Sequence, residues 1–258
     1  MTNPMLPVFL SASIPPTGEN DAQSSPSRLL EIREAVREIA LAVLPRAPLV
    51  FGGHPAINPF VLQMSQQVRG AYPVLIYQSR HFRSRFPADV ERFQEIFLTE
   101  AMDRASRAAP DDSGDRDFSL LYMRYRMLGT AESEFAYDFG AYREDMGHER
   151  SMRFGAGQDY YSAAFFVGGK QGVRCEFDIF RSLHPATPVF PLPRTGHAAA
   201  QIASEEVEIW ADATRALLMD EQIPMSVLIG QLLDAPLLQK PTTPGSGRHH
   251  RHLDSDWP

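Results

Sequence analysis

A chain of 258 residues with 43% apolar side chains is long enough for one large domain with a real core. Its net charge of −7, with Lys and Arg scattered rather than clustered, argues against nucleic acid as a partner. The single cysteine, Cys175, excludes an internal disulfide and a Cys-based metal cluster.

In chain order, residues 5–12 (MLPVFLSA) read as a short buried strand ending in small polar residues. A Pro-, Ser- and Gly-rich loop follows, and a helix is expected from Ser25–Ser27 onward. There Pro26 suits the first turn, Leu29, Ile32, Val36, Ile39 and Val43 recur at helical spacing, and Pro45 ends the pattern. PLVFGG is a second strand, residues 57–69 a second helix, and YPVLIYQS a third strand. Residues 88–108 carry Val90, Phe93, Ile96, Phe97 and Met102 at amphipathic-helix spacing. The stretch 118–128 fits helix or strand, and 130–150 has no clean period.

Order returns with YYSAAFFVGG, a strand, then a helix through EFDIFRSL, a strand at TPVFPL and a helix from TGHAAAQIA. Two further helices are expected at about 204–220 and 224–236. The alternation predicts an α/β, Rossmann-like fold, with a mostly parallel sheet, helices on both faces and a C-terminal helical extension. The expected division is a nucleotide-binding unit over 1–203, the extension over 204–238 and a disordered tail over 239–258.

Phosphate groups bind well where a strand ends, the backbone turns tightly and a helix begins, because free N–H groups and the helix dipole face the anion. Glycine there lets the ligand approach the backbone closely. Four segments have that design: Ser11 to Ser13, Gly52-Gly53-His54, Gly168-Gly169-Lys170 with Gly172, and Thr195-Gly196. In an open parallel sheet such loops share one edge, which is where ligands bind.

The segment GGKQGVRCE (Gly168 to Glu176) resembles the GGxGTxxE signature of the LOG phosphoribohydrolases. More broadly it resembles the SLOG superfamily of Smf/DprA and LOG-like Rossmannoid domains. VFGGHPAINP stands in the place of that family's first Gly-rich loop, and FLSAS and TGHAA look like further SLOG elements. The resemblance runs from about residue 7 to 205, without a detailed match in the middle third.

It implies a catalytic acid at Glu176 and an upstream Arg acting on the N-glycosidic bond of a nucleotide. Arg153 is the first candidate for that Arg, with Arg150 and Arg124 as rivals. A carboxylate there stabilises oxocarbenium character or activates water, while Arg grips phosphate. Val173 in place of Thr, and HPAINP in place of a GxxGLMG-type stretch, depart from the hydrolase pattern. In other SLOG branches the pocket senses a nucleotide messenger such as a cyclic ADP-ribose isomer in Thoeris-type defence, so the departures weigh towards recognition.

Further candidates at the ligand are Ser79 at a strand end, His197, Arg174, and Tyr160 and Tyr161, the tyrosines fitting core packing better than base stacking. Cys175 reads as a buried small residue, and His249, His250 and His252 as part of a solvated tail. No cofactor or metal is called for. The expected partner is a nucleotide-derived small molecule, with a homo-oligomer or a separate effector protein left open. No apolar run approaches the roughly 20 residues of a membrane-spanning helix. The start also lacks a signal peptide's basic region, so the expected location is the cytoplasm.

Overall fold

The computed structural model describes residues 6–15, 26–69, 71–86, 90–93, 95–101, 112–129 and 161–234. The apolar runs become strands: β1 (Val8–Ser13), β2 (Leu49–Phe51), β3 (Val74–Ser79), β4 (Glu95–Thr99), β5 (Ala163–Gly168) and β6 (Val189–Leu192). They form one sheet in the order β4-β3-β2-β1-β5-β6, with every neighbouring pair parallel. A parallel sheet is covered on both faces, which explains strands such as β5 whose residues are all buried.

Side-chain alternation divides the core in two. Val8 and Leu10 of β1 point to one face, packed with helices α1 (Pro26–Val43), α2 (Asn58–Gln67) and α7 (Met225–Asp234). Phe9, between them, points to the other face, covered by α3 (Asp112–Leu128), α4 (Gln171–Leu183) and α5 (His197–Glu205). There it stacks on Phe180 with ring centroids 5.6 Å apart. The Rossmann-like reading therefore stands, and the sheet is parallel throughout.

Two local expectations are corrected. The described residues of the segment 88–108 do not form the expected helix: a short 3-10 turn at Val90–Arg92 precedes edge strand β4, while 102–108, with Met102, lie outside the described residues. Ile96, Phe97 and the residues around them alternate as well as they cycle, and pairing with β3 decides for the strand. The helix expected over 204–220 is interrupted. It resumes as α6 (Asp212–Met219) only after Trp210, whose buried indole Nε1–H donates to Val189 O at 2.8 Å. Residues 118–128 are settled as the C-terminal part of α3. The tail 239–258, the stretch 130–150 and Tyr160 lie outside the described residues.

Tyr161 belongs to the core. Its hydroxyl donates to Met127 O at 2.6 Å, fastening α3 to the base of β5. Burial, with a smaller contribution from Tyr77, pushes the phenol well above its ordinary 10.0. Because the folded-state value is the higher one, its stabilisation is complete below pH 10 and is lost as pH rises beyond it. Tyr161→Phe is expected to cost about 1–2 kcal/mol at neutral pH. It is also expected to flatten the alkaline limb of a urea-denaturation pH series.

β1 leads outward to β2, β3 and β4, and the chain then returns to place β5 on the other side of β1. The order reverses between β1 and β5, and the connections leaving their C-terminal ends run to opposite faces. That divergence opens a crevice at the sheet edge. No described helix is long and apolar enough to cross a membrane.

Candidate functional site

A cleft of about 500 Å³ occupies this crevice, within the usual range for a small-molecule pocket. It is walled by the loops after β1, β2, β3 and β5 and roofed by α3 through Leu120, Met123 and Arg124. From β3 to β5 it crosses three strand spacings, about 14 Å.

At the β5 end the chain turns into α4 through Gly168 and Gly169, at φ 58° and 72°. A Cβ on Gly169 would lie 2.1 Å from Val173 Cγ2, so only glycine lets α4 start this close to the strand. The turn is fastened from both sides. Gly168 N donates to Thr195 Oγ1 at 2.8 Å, and Gly169 N donates to Ser13 O at 3.0 Å. Lys170 and Gly172 consequently line the cleft where the first N–H groups of α4 lack helical partners.

Along α4, Val173, Phe177 and Phe180 share the buried face, and Glu176 stands at its cleft-side border. Both carboxylate oxygens of Glu176 are engaged. Ser11 Oγ, buried beneath the cleft, donates to Oε2 at 2.6 Å, and Arg124 Nε donates to Oε1 at 3.2 Å. The Arg124 and Glu176 side chains are only 17% and 13% exposed, so solvent screens the pair weakly. Arg124 Nη2 lies 3.0 Å from where a Gly172 Cβ would stand. The guanidinium thus spans from Glu176 to the start of α4, beside Lys170.

At the opposite end, Gly53 (φ 63°) follows β2, and Gln78 of β3 bridges to it. Gln78 Nε2 donates to Gly52 O at 2.6 Å and to Gly53 O at 3.0 Å. His54 follows, its Nδ1 accepting from Ala56 N at 3.2 Å to close the turn into α2. Phe82 and Phe86, on the 3-10 helix Arg80–Arg85 and just past it, add aromatic surface. One end of the cleft is cationic and rich in N–H donors, and the other is aromatic.

The sequence model of the SLOG cluster3 family matches residues 24–143 and 141–222, well over half the chain. The chain belongs to the SLOG cluster3 family. No curated protein matches it. Among solved structures it is similar to the X-ray structure of TM1055, Northeast Structural Genomics Consortium target VT76. That similarity has 14% identity and a TM-score of 0.45, over 78% of this chain and 81% of that one.

In this SLOG chain the structure gathers Ser13, Gly52, Gly53, His54, Lys170, Gly172 and Glu176 on the cleft wall. Ser11, Gly168 and Gly169 lie directly behind it as supports. Thr195 is a strut, accepting from Gly168 N and donating to Leu192 O at 2.6 Å. Gly196, at φ 72°, turns the chain into α5 beside Arg28 rather than beside the cleft. Ser79 is also off the cleft: its buried hydroxyl accepts from His81 N, and Gln78, one position earlier, faces the ligand side. Arg174 is turned away to Asp178 and Glu205. Of the three candidate arginines, Arg124 meets Glu176, while Arg150 and Arg153 lie outside the described residues.

Sequence reasoning passed over Gln78, Phe82 and Phe86. A polar residue near the end of an apolar strand was the available signal for Gln78, and strand periodicity would have placed it on the Ile76 face. Burial holds the His54 imidazole below its usual 6.5. The depressed value means that its contribution to stability is present above pH 6.5 and is lost as pH falls below it. His54→Asn, whose amide oxygen can take over the Ala56 N–H, is expected to reduce the acid loss seen in urea titrations at pH 7 and pH 5.

Proposed function

We propose that the chain is a cytoplasmic sensor or effector component of bacterial anti-phage defence that recognises a nucleotide-derived small molecule of the ADP-ribose, NAD or cyclic-nucleotide kind. The observation that carries this reading is the double engagement of Glu176. With Ser11 on one oxygen and Arg124 on the other, the carboxylate holds an arginine beside the α4 start. Arg124, Lys170 and the first amides of α4 then offer phosphate a charge-assisted cradle. Departures from the hydrolase motif at Val173 and HPAINP support binding without turnover.

One observation favours the second reading, N-glycosidic hydrolysis through Glu176 and an upstream Arg: Arg124 and Glu176 do meet on the cleft wall. Two measurements separate the readings. Thermal-shift assays with AMP, ADP-ribose, NAD and cyclic ADP-ribose isomers should find a stabilising ligand, worth about 2.7 kcal/mol at a hundredfold excess over Kd. No shift with any of them would sink both readings. Chromatography of the ligand after prolonged incubation should return it intact, whereas release of free base that disappears in Glu176→Gln would establish the hydrolase instead.

A further inference from the structure

Two side chains at the β3 end of the cleft carry polar atoms with no hydrogen-bond partner among the described residues. Gln78 is only 8% exposed, and its amide orientation is fixed chemically. The group facing the carbonyls of Gly52 and Gly53 has to be the donor, so it is Nε2. Oε1 is left on the cleft wall with no hydrogen-bond partner among the described residues. An acceptor open to the cleft is met by water until a ligand donor displaces it.

His54 supplies the complementary group. Its Nδ1 accepts from Ala56 N, so a neutral ring carries its proton on Nε2. Burial, which lowers the imidazole below its ordinary range, keeps the ring neutral at pH 7. Nε2–H likewise has no partner among the described residues, and His54 lines the cleft. The two groups are neighbours by connectivity, since Gln78 holds the carbonyl of Gly53, the residue before His54. Phe82 and Phe86 line the same end with the aromatic surface on which a base can stack.

We propose that this end of the cleft reads the amidine edge of an aminopurine or aminopyrimidine base, Gln78 Oε1 accepting from the exocyclic amino group and His54 Nε2–H donating to the adjacent ring nitrogen. The inference rests on the cleft being a nucleotide site and adds which bases it accepts. Adenine and cytosine present donor and acceptor in that order. Their deaminated counterparts, hypoxanthine and uracil, present them reversed. With the phosphate held at the β5 end, the base cannot turn over to restore the match, and a keto oxygen would face Gln78 Oε1.

The test is calorimetric titration of the full chain with AMP against IMP, and with NAD against nicotinamide hypoxanthine dinucleotide. Amino forms are expected to bind at least about tenfold more tightly, because the keto forms would set acceptor against acceptor at Gln78 and donor against donor at His54. Gln78→Met, and separately His54→Phe, are expected to shrink that ratio to within about threefold. The wild-type ratio itself depends on no variant folding. Equal affinity for amino and keto forms, tighter binding of the keto form, or full discrimination retained in Gln78→Met would overturn the inference and leave the nucleotide site standing. Failure of every nucleotide to bind would overturn the site reading and this inference with it.

Discussion

Gly53→Ala is expected to destabilise the protein by about 2–5 kcal/mol, while Gly52→Ala, one residue away, is expected to change stability by no more than about 0.5 kcal/mol. The contrast comes from geometry alone. Gly53 sits at φ 63°, where an added Cβ would lie 2.2 Å from Gln78 Nε2 and 2.6 Å from Ile76 Cγ2. Neither neighbour can retreat cheaply. Gln78 is tied to two carbonyls, and Ile76 is fully buried in the sheet.

Gly52, by contrast, would place its Cβ at 3.7 Å from Met123 Cε, an ordinary contact with a flexible side chain. Urea denaturation of the two variants checks the stability difference. Because the displaced group in Gly53→Ala is Gln78, ligand affinity is expected to fall with it. Equal stability of the two variants would mean that the β2 turn is not held as described.

Arg124→Met is expected to weaken binding of a phosphorylated ligand by roughly 10–100-fold, the value of a charge-assisted hydrogen bond or two. It should also cost about 1–3 kcal/mol of stability, since Glu176 would be left poorly solvated with only Ser11 as partner. The double variant Arg124→Met/Glu176→Gln separates the two effects. Removing the orphaned charge is expected to restore most of the stability and none of the affinity. Recovery of affinity in the double variant would mean that Arg124 serves only to neutralise Glu176. Calorimetry and urea titration on the same three proteins give both quantities.

Five of the six described strands were legible as apolar runs because a parallel sheet buries both strand faces and leaves little alternation to confuse with a helix. The exception is instructive. β4 is an edge strand with most of its residues partly exposed, so EIFLT carries an amphipathic pattern that fits either period. The Gly pairs were legible for a related reason. A glycine directly after a buried strand marks a turn that a Cβ would block, as the contacts at Gly53 and Gly169 bear out.

Long-range pairings were not legible. Glu176 meets Arg124 across 52 residues and Ser11 across 165, and nothing local singles out those partners. Ser79 and Gln78 show the same limit at one-residue scale. The strand end was recognised, but which of two adjacent polar residues faces the ligand follows from the pleat and from the turn after β3.

Amide hydrogen exchange of the full chain, with and without saturating ADP-ribose or NAD, tests most directly whether a nucleotide sits on the two Gly loops. Slowed exchange in the peptides spanning Gly52 to His54 and Gly169 to Val173 is the expected result, because bound ligand would cover both loops. Protection confined to other segments, with both loops exchanging as in the free protein, would contradict it.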